Sequence, residues 1–360
     1  MIEELDEVNW AALSHAYGSA DDVPEMIRGL LGDERDEALE ALFSSIAHQG
    51  TRYSASAPAV PFLLTLAADP ATPFPGEIVV LLQSLATGGD NHDWRRFPID
   101  ALRAAGPSSA LSAYDAVAVG LPRLIPLLDD ADAEIAVPVA QLLAAFPEHA
   151  DLLVPALASV AASDDAPIAL TTTALLALSA VAPVGTSTVS ELLGRRLSDE
   201  DESVRWAAAV AAVRLRDSRL LTSATGELRR WATRTAVAGD PWYGVREELA
   251  VAELTEADPA GHDDRIRPIL ARMLAETPSS NWHNHLVAIL DRAGLPTSAW
   301  VDRELLRWDY LGPAQRELVE HLCERPDIFA TDRVLAPLVW AGLPGTLAEL
   351  RAFAGRHAVG

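Results

Sequence analysis

Lysine is absent from this chain of 360 residues, so all 28 basic residues are arginines. Basic residues of either kind are scarce beside the 52 acidic ones, and the formal net charge is −24. Nucleic-acid binding ordinarily requires a basic stripe along the phosphate backbone, so this balance argues against such a partner. It favours a basic protein or peptide instead. The deficit is uneven. Up to residue 200 there are 29 acidic and 9 basic residues, a net −20, whereas the remaining 160 carry 23 and 19, a net −4.

Cysteine is nearly absent as well. Cys323 stands alone, which excludes internal disulfides and cysteine-cluster metal sites. The opening "MIEELDEVNW" has neither a basic segment nor an apolar core, so no signal peptide is expected. Charge is missing altogether from Ala166 to Ser190. That run is long enough to cross a membrane, but it holds several Thr and Ser and two breakers, Pro183 and Gly185. A buried central helix is the expectation, in a soluble cytoplasmic protein without a membrane partner. Alternating β-branched and aromatic runs are also wanting, while alanine and leucine dominate, so the fold expected is all-α. Phosphate-binding and dinucleotide-binding glycine motifs, HExxH and GxSxG do not occur, and no cofactor is expected.

What is there is a repeat. "DADAEIAVPVAQLLAAF", "SDDAPIALTTTALLALSAV", "SDEDESVRWAAAVAAVRL" and "GDPWYGVREELAVAEL" each place an acidic turn before an alanine-rich helix. Taken at Ile135, Ile168, Val204 and Val245, the spacings are 33, 36 and 41 residues. Self-similarity at that period is the mark of a solenoid built from helix pairs. In the third unit Ser198 or Asp199 is expected to cap the helix, with Asp201 and Glu202 near its positive end. Both sides of that helix are apolar, so it should be covered on two sides.

The segment "DESVRWAAAVAAV" resembles the HEAT repeat, in which an acidic residue, Val-Arg and paired alanines open the second helix. The match is good at 199–215 and 240–254, and weaker at 129–146 and 165–182, where the arginine is missing. "WAALSHAYGSADDVPEMIRGLL" and "IAHQGTRYSASAPAVPFLLTLA", within 9–90, look like a family of bacterial HEAT-repeat proteins of unassigned role. The resemblance implies a right-handed α-solenoid of antiparallel helix pairs over residues 1–360. Divergent repeats with polar loops would occupy 1–125, regular repeats 126–255 and tryptophan-containing repeats 256–360. HEAT-like hydroxylases hold iron through His-Glu dipeptides, and no histidine here precedes a glutamate.

Two polar interruptions break the helical pattern. The first, "HQGTRY", supplies His48, Gln49, Thr51, Arg52 and Tyr53 at the edge of the predicted solenoid, with Gly50 free to take positive φ. These side chains either recognise a partner or tie two helix ends together. In the second case Arg52 would pair with an N-terminal carboxylate. The second interruption concentrates Asp90, His92, Asp93, Trp94 and Arg95. If the loops adjoin, His48, His92 and Asp93 border a polar pocket beside Trp94. Two histidines 44 residues apart have no metal-motif spacing, however, so no metal is expected. His283 and His285 are two apart, diverge on a helix, and are likewise no ligand pair. Trp242, Tyr243 and Arg246 form a third candidate binding cluster, since aromatics and arginine carry much of the energy of interfaces. Of the seven tryptophans in the second half, Trp206, Trp231, Trp242, Trp282, Trp300, Trp308 and Trp340, most are expected to fill gaps between helices.

The sequence therefore predicts a non-enzymatic interaction scaffold whose acidic half recruits a basic protein or peptide. An immunity-type protein neutralising a basic toxin in a bacterium is one concrete form. The rival is a small-molecule-binding protein or enzyme with its pocket between loops 48–53 and 90–96.

Overall fold

The computed structural model describes residues 2–89, 97–130, 132–232, 246–257, 262–275, 286–287, 289–290, 293–295, 305–330 and 335–355. It is mostly helical, as expected from the composition. Among the described residues the only strands are two of two residues each, Ser14–His15 and Gly18–Ser19, paired antiparallel. The chain divides into two compact units, Met1–Glu227 with Gly239–Gly244, and Leu228–Ala238 with Val245–Gly360.

The first unit contains α1 (Val23–Gly29), α2 (Arg35–Ile46), α3 (Ser56–Ala67), α4 (Pro75–Thr87), α5 (Ile99–Ala104), α6 (Ser109–Leu124), α7 (Ala133–Leu143), α8 (Ala150–Ala162), α9 (Ile168–Val181), α10 (Ser187–Arg196) and α11 (Glu202–Arg214). Helices from successive segments pack in a row: α4 against α7, α7 against α9, and α9 against α11. A second set links α8 to both α9 and α10. Close approach is achieved with small residues. A Cβ on Gly76 of α4 would overlap the backbone of Glu134 in α7, and one on Gly120 of α6 would overlap Leu64 of α3.

Helix α9 is the uncharged run of the sequence, and it is buried nearly throughout from Leu170 to Val181. Its threonines are tolerated there because their hydroxyls bond back onto their own helix. Thr172 donates to the Ile168 carbonyl at 2.9 Å and Thr173 to that of Ala169 at 2.7 Å. Helix α11 is buried on all sides from Trp206 to Val213, as two-sided covering requires. Its cap is Asp201, not Ser198 or Asp199. Asp201 has extended backbone, and its carboxylate accepts from Ser203 N–H at 2.8 Å and Val204 N–H at 3.2 Å. Asp199 instead holds the turn, accepting from Asp201 N–H at 2.9 Å and pairing with Arg196 at 2.7 Å. Arg196 also donates to the carbonyls of Ala161 and Ser163, at 2.8 and 2.9 Å, and so ties this turn to the end of α8.

Helix α6 with its 3₁₀ extension, Ser109–Asp129, is the one stretch among the described residues long and apolar enough to cross a membrane by length and composition. It carries Asp115 and Arg123 and packs on α3 and α4. Tyr114 on this helix is buried, stacks on Phe97 at 5.5 Å, and donates to the Ala145 carbonyl at 3.2 Å. Burial raises its phenol well above the ordinary range.

In the second unit, helix Arg246–Ala257 packs on His262–Ala275, which packs on Pro313–Cys323, which packs on Leu347–Gly355. Val251, Leu254, Ile266, Leu270, Leu318, Val319, Leu322 and Leu350 form its core. Cys323 closes one of these helices half-buried, and burial pushes its thiol up.

Candidate functional site

The first polar loop is a tight reversal. Helix α2 stops at Ile46, and Gln49 and Gly50 then take positive φ, 48° and 78°. Gly50 was expected there; the left-handed conformation of Gln49 was not. Two consecutive left-handed residues turn the chain within three positions, and α3 begins at Ser56. Ser56 fastens the two helices. Its buried hydroxyl donates to the Ile46 carbonyl at 2.6 Å and accepts from Tyr53 N–H at 2.8 Å.

Among the described residues Arg52 does not meet a carboxylate. Its Nη1 donates to the carbonyl of Gly50, and among the described residues it makes no ion pair. Its Nε is buried without a partner, and burial lowers its pKa. The guanidinium is wedged between the Gly50 turn and Gly88 at the end of α4. Gln49 and Thr51 are exposed, whereas His48, Arg52 and Tyr53 are half-buried.

The hairpin 14–19 docks on this loop. Ser54 Oγ accepts from Ser14 N–H at 2.8 Å, and the Ser14 carbonyl accepts from Ala55 N–H at 3.1 Å. The hairpin brings Tyr17 edge-on to His48, with centroids 5.6 Å apart. Behind Tyr17 sits a buried His15 with both ring nitrogens engaged. Nε2 lies 2.9 Å from the Asp22 carboxylate, and Nδ1 accepts from Tyr17 N–H at 3.0 Å. With Nδ1 an acceptor, Nε2 carries the proton, so this dyad has no free nitrogen for general-base work. The sequence reading overlooked Tyr17, whose signal was its place in "HAYGS" beside a glycine.

The described start of the second loop lies against the first. Gly88 and Gly89 have φ of 89° and 114°, and a Cβ on Gly50 would overlap the Gly88 carbonyl. Asp90, His92, Asp93, Trp94 and Arg95 lie outside the described residues, as do Trp242, Tyr243, His283 and His285. Arg246 is described, with its guanidinium carbon 5.9 Å above the ring of the buried Trp231. Trp206 and Trp308 are also buried. Among the described residues no group of three His, Cys, Asp or Glu is arranged to hold a metal ion.

Around these loops the surface is anionic. Residues 1–40 contain twelve carboxylates against two arginines, Arg28 and Arg35, a net −10. Both arginines are engaged. Arg28 pairs with Asp6 at 2.8 Å, and Arg35 pairs with Asp36 and Glu77. On α2, Asp36, Glu37 and Glu40 are exposed. Two aromatics stand out at the ends of that helix, Tyr17 near its C-terminus at 69% exposure and Phe74 near its N-terminus at 68%. Arg35 covers the Phe74 ring at 4.6 Å.

The second unit holds a pocket of about 610 Å³. Three segments build it: the extended stretch 305–307 with the 3₁₀ turn Trp308–Tyr310, the turn 341–345 after helix Leu335–Trp340, and helix Leu347–Gly355. A hydrogen bond from Leu306 N–H to the Gly342 carbonyl, 2.7 Å, locks the first two together. Trp308 meets Phe353 edge-to-face at 5.5 Å, and the Arg316 guanidinium lies 5.9 Å over the Trp308 ring. No periodic signal in the sequence marks the pocket.

No family model matches the chain, and no curated protein matches it. Among solved structures it is similar to two engineered proteins determined by the Northeast Structural Genomics Consortium. One is 19% identical with a TM-score of 0.40, covering 66% of this chain and 97% of its own. The other is 18% identical with a TM-score of 0.34, covering 93% and 98%. A likeness this slight bears on neither fold detail nor function.

Proposed function

We propose that the protein is a non-enzymatic interaction scaffold of the bacterial cytoplasm, a HEAT-like solenoid whose acidic first unit recruits a basic protein or peptide. The packing of α7 on α9 and of α9 on α11 supports the solenoid reading, because each of these helices meets its equivalent one repeat on. The observation that carries the function is the uncompensated carboxylate surface of residues 1–40, whose two arginines are both already paired. Exposed Tyr17 and Phe74 add what charge alone lacks. Aromatic faces accept guanidinium and ammonium groups and anchor interfaces.

The test is capture of partners from lysate of the producing cell at roughly 0.05 M and 0.5 M salt, where screening lengths differ several-fold. The chain is compared with Glu37→Arg/Glu40→Arg. A basic protein held at low salt, released at high salt and not held by the variant supports recruitment. A partner held equally by both chains at both salts sinks it.

A further inference from the structure

The pocket of the second unit has the size and lining of a small-molecule site. Its volume, about 610 Å³, sits in the middle of the range that such sites occupy, roughly 300–1,000 Å³. Its wall is apolar: Leu306, Leu343, Pro344 and Ala352, with the Trp308 and Phe353 rings at right angles to each other. At its mouth Leu305 and Val339 are 67% and 52% exposed, which leaves apolar area in water that a ligand would cover. A core defect would be sealed. This cavity opens to solvent between side chains that gain nothing by being exposed.

Its polar groups choose the ligand's charge. Three ionised side chains border it: Asp309, Glu349 and Arg307. Arg307 is taken up locally, 5.3 Å over the Tyr310 ring and 3.9 Å from Asp309. Glu349 spends one carboxylate oxygen on the Thr346 hydroxyl at 2.7 Å and keeps the other. The border is thus net negative, with carboxylate oxygens to spare, on a chain whose overall charge of −24 draws in cations. Two aromatic rings beside carboxylates form the setting that recognises ammonium groups.

We propose that this pocket binds a small organic cation with an aromatic or bulky apolar body. The body lies against Trp308 and Phe353, and the ammonium group sits at Asp309 and Glu349. The site stands apart from the acidic surface of the first unit and does not depend on the scaffold reading.

Three probes of one shape test it by calorimetry: 2-naphthylmethylammonium, 2-naphthylmethanol and 2-naphthoate. The cation is expected to bind roughly tenfold or more tighter than the alcohol, the size of one charge-assisted contact, and the carboxylate weakest. Ala352→Trp fills the pocket from an exposed position and is expected to abolish binding of the cation with an unchanged melting temperature. Asp309→Asn/Glu349→Gln is expected to erase the preference for the cation while leaving the alcohol's affinity as it was. If Ala352→Trp melts early, the carboxylate pair decides alone, since both groups are exposed. No binding of the cation, equal binding of all three probes, undiminished binding by a folded Ala352→Trp chain, or a cation preference that survives loss of both carboxylates would each overturn the proposal.

Discussion

The guanidinium of Arg52 occupies the place that a Cβ on Gly88 would need. That relationship fixes how the first polar loop meets the end of α4: Arg52 reaches over the Gly50 turn, donates to the Gly50 carbonyl, and rests against Gly88. Its role among the described residues is that of a bolt.

Two glycine substitutions separate strain from crowding. At Gly88 the nearest obstacle to a Cβ is the end of the Arg52 side chain, which can swing aside by giving up its bond to the Gly50 carbonyl, whose oxygen lies 3.0 Å from that Cβ. Gly88→Ala is therefore expected to cost mainly its positive φ, roughly 1–2 kcal/mol. At Gly50 the obstacle is the Gly88 carbonyl, which cannot step aside. Gly50→Ala should lose that backbone cost and a further overpacking cost of about 1–3 kcal/mol. In thermal melts the first variant should drop by several degrees and the second by distinctly more. Equal drops would show that Arg52 is not free to move.

How much of this was legible follows from the kind of signal involved. Helices α9 and α11 were readable because a long apolar stretch that nonetheless carries capping groups has few other folds open to it. The cap itself, expected at Ser198 or Asp199, lies two or three residues on, at Asp201. "SDEDES" offers several acceptors, and only backbone conformation selects Asp201. One of the two readings of the first loop paired Arg52 with a carboxylate, because sequence shows charges but not distances; among the described residues its acceptor is a carbonyl two residues back. The hairpin at 14–19 is too short for periodicity to reveal. The pocket assembles three segments that share no pattern at all.

The cap assignment has its own test. Asp201→Ala removes the acceptor for two helix N–H groups and should cost about 1 kcal/mol. Ser198 is exposed and makes no cap, so Ser198→Ala should be neutral within experimental error. Chemical denaturation of the two variants checks both. The reverse ranking would restore the cap to the start of the turn.

Asp217 predicts a pH dependence. The Ser190 hydroxyl, and then Arg219 with its N–H at 3.0 Å, hold this carboxyl below the usual carboxylate range, against the opposing effect of burial. A depressed folded-state pKa stabilises the fold above the unfolded value, near pH 4, and that contribution is lost as pH falls through the folded value. The wild-type chain should therefore melt above Asp217→Asn at pH 7, and the gap should close as the pH approaches 2. A gap unchanged across that range would remove Asp217 from the acid response.

Charge density in the first forty residues predicts how salt acts on stability. Twelve carboxylates and two paired arginines leave like charges as helix neighbours, as Glu40 is one turn from both Asp36 and Glu37 on α2. Exposed like charges within about 10 Å repel at low ionic strength and are screened at high. The melting temperature should therefore rise as salt is increased from roughly 0.05 to 0.5 M, the opposite of what fold-stabilising ion pairs would give. Glu37→Arg relieves the repulsion directly. It should raise the low-salt melting temperature by a degree or two, since a single surface charge contributes less than about 1 kcal/mol. It should also flatten the salt slope. A melting temperature that falls with salt would mean that the Arg28 and Arg35 pairs, with that of Arg103 to Asp115 and Glu148, outweigh the repulsion, and the surface offered to a basic partner would then be less negative than its composition implies.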